Sequence, residues 1–248
     1  MKGCSMHLLR DDLPSAVERW ELLAAFAGDY LRPFTARDSI SRDEITQCEK
    51  TIGRRLPKSL ADYYVLCGNA RDIWCRQDEW IRPERLWGKD GVLFIWQENQ
   101  GNWRAGIKDS DSDTVDPPVV WDGLYTLFDI GKDGEYTVLA DTVSEFALNM
   151  LACVAKFSNL CREQAFGDTR DVQPLLDVLE RNYTRCPLKK RWVIGPVSYF
   201  QDAVSFVEVS ESDGFVYPIL KTPEAVDRFI SLVDAIPINW GFKPERGG

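Results

Sequence analysis

The chain has one histidine in 248 residues, His7, close to an end where chains fray. A Ser-His-Asp or Cys-His relay needs an imidazole held firmly beside its nucleophile, so neither relay has a base here. Seven cysteines (Cys4, Cys48, Cys67, Cys75, Cys153, Cys161 and Cys186) form no Cys-x-x-Cys pair, and their number is odd. That pattern fits reduced thiols used as small hydrophobes better than disulfides or a zinc centre. Phosphate-binding and dinucleotide fingerprints are absent. Asp78-Glu79 has the adjacency of a carboxylate dyad, but with 39 acids in the chain neighbouring acids arise by chance. Asp109-Ser110-Asp111-Ser112-Asp113 begins as a calcium loop begins. It then carries Thr114 where such a loop needs glycine and Val120 where it needs glutamate. These residues predict a protein that is not an enzyme and needs no cofactor.

Charge is more informative than catalytic chemistry. The net charge is −9, and nearly all of it lies in one zone. Residues 108–145 hold only Lys108 and Lys132 against ten acids, a net of −8, whereas the flanking segments are close to neutral. Asp109, Asp111, Asp113 and Asp116 are its densest part. Such a surface repels nucleic acid and anionic membranes and attracts basic proteins. No run approaches the ~18 apolar residues of a membrane span. Arg10-Asp11-Asp12 leaves no room for the apolar core of a signal peptide, so a cytoplasmic location is expected.

The elements that must position these acids are read from caps and periodicity. Ser15 with Glu18, Ser41 with Glu44 and Thr142 with Glu145 have capping-box spacing, and each precedes an apolar stripe of helical period. Those stripes are Trp20, Leu23, Ala27 and Leu31; Ile45, Cys48 and Ile52; and Phe146, Met150, Cys153, Phe157 and Leu160. Gly53 stops the second helix. Pro57 suits a first helical position before Leu60, Tyr63, Tyr64 and Cys67. Strands are predicted over 92–96, 102–107, 119–121, 124–128 and 136–139. Gly88-Lys89-Asp90-Gly91 and Gly131-Lys132-Asp133-Gly134 supply matching turn chemistry. Farther on, runs at 192–194, 197–200, 204–209 and 215–220 read as strands, the last two joined through Asp213-Gly214. Pro218 places the last of them at a sheet edge. Thr222-Pro223 then opens a final helix.

Helices, a meander of strands and a long helix predict an α+β fold: an antiparallel sheet covered by N-terminal helices and by the helix after the sheet. The expected organisation is one domain over 13–161 and a small C-terminal α+β extension over 162–248, packed on the first.

The run Val92-Leu93-Phe94-Ile95-Trp96, the turn Glu98-Asn99-Gln100-Gly101, Trp103, and Asp116-Pro117-Pro118-Val119 form an ordered series. Upstream of it stand Glu49, Gly53, Leu56-Pro57 and Gly68-Asn69. Over about 110 residues, from Ile45 to about Phe157, this series resembles the SUKH superfamily, which includes fungal cell-wall-synthesis regulators and bacterial immunity proteins. The resemblance implies the same α+β fold and a protein that binds and occludes a cognate toxin. The acidic zone points the same way, because toxins that attack nucleic acids carry basic surfaces. A regulatory interaction scaffold of the cell-wall type is the alternative, although the chain lacks the long low-complexity arms of that class. Trp80, Glu98, Asp109, Asp111, Asp113 and Asp116 are the expected partner-binding residues. Trp80 is included because Asp78, Glu79 and Arg82 flank it and suggest exposure. Glu98 and its neighbours are expected chiefly to fix turns.

Overall fold

The computed structural model describes residues 8–10, 12–75, 78–123, 136–157, 163–188, 190–192, 195–242 and 244. Within them the chain forms an α+β fold with two antiparallel sheets. Two compact units are present. One comprises Pro14–Ala24 and Pro33–Val154, the other Met1–Leu13, Ala25–Arg32 and Ala155–Gly248. The expected boundary near 161 therefore moves to the end of a helix, and the C-terminal unit also recruits residues from the N-terminal region. Helix α1 (Ala16–Tyr30) is divided between the two.

In the first unit, α1 begins after Ser15, whose Oγ accepts from the Glu18 N–H and donates to the Glu18 carboxylate. Helix α2 (Arg42–Ile52) has the full Ser41/Glu44 capping box and ends on Gly53 in the left-handed region, φ 74°. Pro57 is the N-cap residue of α3 (Lys58–Cys67), one position earlier than expected. A short α4 (Arg71–Trp74) follows. The sheet consists of β1 (Glu79–Trp80), β2 (Trp87–Lys89), β3 (Val92–Gln97), β4 (Trp103–Lys108), β5 (Val119–Gly123) and β6 (Thr137–Ala140). Its order is β1-β3-β4-β5-β6, with β2 also on β3, so β3 to β6 form the predicted meander. Helix α5 (Val143–Ala155) closes the unit. It ends before Phe157, which is 37 % exposed and lies off the predicted apolar face. The predicted strand 124–128, Leu160 and the turn 131–134 fall outside the described residues.

Aromatic rings from five elements meet in this unit's core. Tyr63 stacks on Trp80 at 3.9 Å between ring centroids, and Trp74, Trp96 and Phe146 surround Trp80 at 5.6 to 5.8 Å. Each such ring removes a large apolar area from water. The tryptophans of this region therefore serve mainly to join α3, α4, the sheet and α5.

The second unit's strands are β7 (Glu163–Gln164), β8 (Phe166–Asp168), β9 (Thr184–Arg185), β10 (Lys190–Trp192), β11 (Gly195–Gln201), β12 (Ser205–Ser210), β13 (Phe215–Leu220) and β14 (Asn239–Phe242). Their order is β10-β11-β12-β13-β8-β14. Helices α6 (Gln173–Asn182) and α7 (Pro223–Val233) cover one face through Leu175, Leu179, Val226, Phe229 and Ile230 against Phe200, Val207, Val209, Val216 and Leu220. On the other face Phe26 and Tyr30 of α1 pack on Phe206 at 5.0 and 5.7 Å. Every residue of β12 is consequently buried.

Pro218 is not at an edge. It pairs in register with Val207 of β12, and β7 and β8 lie on the other side of its strand. Residues 163–164 and 167–168 keep one register against β13, and the pairing lapses opposite Pro218. A residue without an N–H breaks the ladder on one side only, so an interior strand accommodates it by splitting its neighbour in two.

Among the described residues no helix is long and apolar enough to cross a membrane.

Candidate functional site

The acidic residues are placed by the ends of β4. After Lys108 the chain makes a 3-10 turn, Asp109–Asp111. The turn is tied down at several points. Ser112 donates through both N–H and Oγ to the Asp109 carbonyl, and Thr114 N–H donates to the Asp111 carbonyl at 3.0 Å. Asp109 N–H donates to the Gly91 carbonyl at 2.7 Å, and Ser59 N–H to the Val115 carbonyl at 2.9 Å. Asp113 is exposed and Asp111 half-buried. Val115, beside them, is 61 % exposed, an uncommon exposure for a large apolar side chain in this chain. The loop thus presents carboxylates and one apolar side chain from an ordered backbone.

Three of the six expected partner-binding residues meet on this loop: Asp109, Asp111 and Asp113. Asp109 forms an ion pair with Arg54 at the C-terminal end of α2. The sequence carries no signal for that pairing, because the two residues stand 55 positions apart. It offsets the charge of an acid that is itself exposed, whereas among the described residues Asp111 and Asp113 form no ion pair.

Asp116 does something else. Its side chain is 13 % exposed and lies 3.7 Å from Arg19 of α1. It accepts from Ser144 N–H at 3.1 Å and from the Ser144 hydroxyl. A carboxylate on the first-turn N–H groups of α5 satisfies donors the helix leaves unpaired and complements its dipole. Thr142 Oγ1 caps the Glu145 N–H beside it. Asp116 is therefore a structural cap, which corrects its assignment to the partner surface.

Glu98 is at the other end of β4, about 20 Å away at the rise of an extended strand. Its carboxylate accepts from Asn102 N–H at 2.9 Å, and its carbonyl from Gly101 N–H at 3.0 Å. Gly101 has φ 74°, which glycine adopts without strain. Asn99 N–H donates to Asp78 at 3.2 Å. Glu98 and its neighbours fix the hairpin, as the sequence suggests. Trp80 is corrected outright: it is 3 % exposed, at the centre of the aromatic cluster. Its neighbour Glu79 does not expose it, because successive residues of an extended chain face opposite ways, and Asp78 and Arg82 lie outside the two-residue strand while Tyr63, Trp74, Trp96 and Phe146 enclose the Trp80 ring.

The buried thiols Cys48, Cys67 and Cys186 are quiet. Burial pushes Cys48 up to about 11 and Cys186 up to about 12, and raises Cys67 well above the ordinary range. A thiol of raised pKa holds little thiolate near neutral pH and reacts slowly. Alkylation of the folded protein at pH 7 is therefore expected to spare Cys48, Cys67 and Cys186. Unfolding without reductant should then expose all seven thiols of the chain to titration. A reproducible deficit of two would reveal a disulfide and contradict this expectation.

No protein-family model matches the chain, and no curated protein matches it either.

Proposed function

We propose that the chain is an immunity protein of the SUKH type, which binds a basic toxin and blocks its active site or substrate channel. The observation that supports this most is the loop 109–115, where exposed Asp113 and half-buried Asp111 stand beside exposed Val115 on a backbone already held by hydrogen bonds. Concentrated charge of one sign raises the rate of encounter with an oppositely charged surface. A loop ordered before binding loses little further entropy when the complex forms. Val115 adds an apolar contact that an exposed acid cannot make. The α+β arrangement of helices, meander and closing helix is the one that the SUKH resemblance implies.

In this reading occlusion is steric and electrostatic. The carboxylates occupy the cationic surface on which a nucleic-acid-targeting toxin would hold phosphates, and the body of the protein excludes the substrate. No group on this chain has to make or break a bond.

The test exploits the division of labour among the acids. Asp109 is paired and Asp116 caps a helix, so reversing either would confuse charge with folding. Asp111→Lys with Asp113→Lys leaves both alone. Stopped-flow mixing with the cognate toxin is expected to show association slowed by about tenfold or more at low salt. The melting temperature should stay within about 2 °C, as for most surface changes. The difference should shrink as salt rises, because the Debye length falls to ~8 Å at physiological ionic strength. Equal association rates for parent and variant would overturn the proposal that this loop faces the partner.

A further inference from the structure

We infer that the second unit repeats the β-meander of the first, and that each unit offers the same loop to a basic partner, so that one chain takes up two partner molecules. The partner's chemistry rests on the toxin reading above; the repeat itself does not.

Three antiparallel strands in chain order are common and by themselves show nothing. The detail around them is specific. In the first unit two short strands lie along β3. Strand β1 pairs near its end, Glu79 with Gln97 and Trp80 with Trp96, and β2 near its start, Lys89 with Val92. In the second unit β9 and β10 lie along β11 in the same way. Thr184 pairs with Gln201 and Arg185 with Phe200 at one end, and Lys190 with Val197 at the other. Placing Val92 on Val197 brings these pairs onto one another, and the next strand with them. Val92 pairs with Lys108 and Gln97 with Arg104; Val197 pairs with Ser210 and Gln201 with Phe206. The one extra residue is Ile95, at the bulge of β3. The faces agree as well. Trp96, Ala105 and Ile107 correspond to Phe200, Val207 and Val209, and all six are buried. Trp96 meets Phe146 of α5, while Phe200, Val207 and Val209 pack under α6 and α7. A slip of one residue would turn a strand's side chains to the opposite face, so register and facing agree only where the two meanders are built alike.

The repeat brings the candidate loop with it. The residue after the second meander strand is Asp109 in the first unit and Glu211 in the second. Asp109 N–H donates to the Gly91 carbonyl at 2.7 Å, and Glu211 N–H to the Pro196 carbonyl at 2.9 Å. Gly91 and Pro196 each stand just before the matched valine. Both acids are paired with an arginine, Asp109 with Arg54 and Glu211 with Arg185 at 3.1 Å. A serine and a second acid follow in each: Asp109-Ser110-Asp111 and Glu211-Ser212-Asp213. Asp213 is exposed, and its backbone is held because Gly214 N–H donates to the Ser210 carbonyl at 3.0 Å. An acid held on an ordered loop is what the first unit offers a basic surface, and the second unit repeats it. The second loop is shorter, since β13 begins at Phe215, and nothing in it corresponds to Asp113 or Val115. It also lies outside the acidic zone 108–145. The second unit therefore takes the same partner more slowly and more weakly.

The test counts toxin molecules per chain, with the full-length protein and the cognate toxin, by titration calorimetry and native mass spectrometry. Two are expected, the second bound about tenfold or more weakly than the first. Asp213→Lys should remove the second and leave the affinity of the first within about twofold, as for independent sites. Among the described residues the Asp213 carboxylate accepts only from Ser210 Oγ, so the change spares the fold. If Asp213→Lys nevertheless proves unfolded, hydrogen exchange of the Ser212 and Asp213 amides in the parent replaces it, with protection expected beyond the first equivalent of toxin. One toxin per chain at saturation, a second toxin undisturbed by folded Asp213→Lys, or unprotected amides at 212 and 213 would each overturn this inference and leave the toxin reading standing. No toxin bound by the parent would overturn the toxin reading, and this inference with it.

Discussion

Gly214→Ala is expected to destabilise the protein by about 3 kcal/mol or more, which lowers the melting temperature by roughly 6 °C or more at this chain length. Gly214 follows Asp213 in the turn between β12 and β13 and has φ 68°. A Cβ there would lie 1.9 Å from the Thr169 carbonyl oxygen and 3.0 Å from its carbon. The contact is with backbone, and that backbone is fixed because Thr169 N–H donates to the Gly214 carbonyl at 3.1 Å. Neither side can yield without losing the link between β8 and the turn. Gly53→Ala provides the comparison. Gly53 has nearly the same φ, 74°, but a Cβ there would find nothing within 4 Å. It should lose only the cost of the left-handed conformation, about 1 kcal/mol. Urea midpoints of the two variants separate collision from strain. Equal losses would mean that the β12–β13 turn does not press against Thr169.

Breaking the Lys156–Glu208 pair should cost about 3–5 kcal/mol, the range for removing one partner of a buried ion pair. Lys156 Nζ lies 2.6 Å from Glu208 Oε1, and the side chains are only 11 % and 4 % exposed. Lys156 also stands 4.5 Å from the centroid of the Tyr217 ring, and Tyr217 is in register with Glu208 on the next strand. The attraction offsets two desolvation penalties, so the pair itself contributes little net stability, but the residue that remains would be a buried charge that has lost this attraction. Glu208→Leu and Lys156→Met are each expected to fall in the stated range. The double variant should recover most of the loss, to within about 2 kcal/mol of the parent, since well-packed apolar replacements of buried pairs are often near neutral. A double-variant cycle by chemical denaturation measures the coupling. Additive losses would show that the two side chains do not depend on each other.

Much of the architecture is legible because the signals that encode it act over a few residues. Ser41 and Glu44 are three apart and cap the same turn of α2. Thr222 and Pro223 open α7 by the same short-range logic. Asp90-Gly91 and Asp213-Gly214 announce their turns because positive φ costs glycine little. Val92–Gln97 and Trp103–Lys108 pair as predicted, since the Glu98–Gly101 turn sets their register. The α+β class follows from the order of these pieces.

The candidate site is half legible. Its charge can be counted, so Asp109, Asp111 and Asp113 stand out from the chain alone. What each acid does depends on partners far off in sequence: exposed Asp109 pairs with Arg54, 55 positions away, and Asp116 caps α5 through Ser144, 28 positions away. The burial of Trp80 likewise depends on α3, α4, β3 and α5 converging on it. Pro218 in an interior strand and Lys156 beside Glu208 belong to the same class. By itself the sequence determined the helices, the hairpins and the acidic zone, because caps, turn residues and periodicity act within about one turn of chain. Only the tertiary structure decided which acids find a partner within the fold, which tryptophan is core and where β2 meets α2, because those facts arise when distant elements pack and exclude water between them.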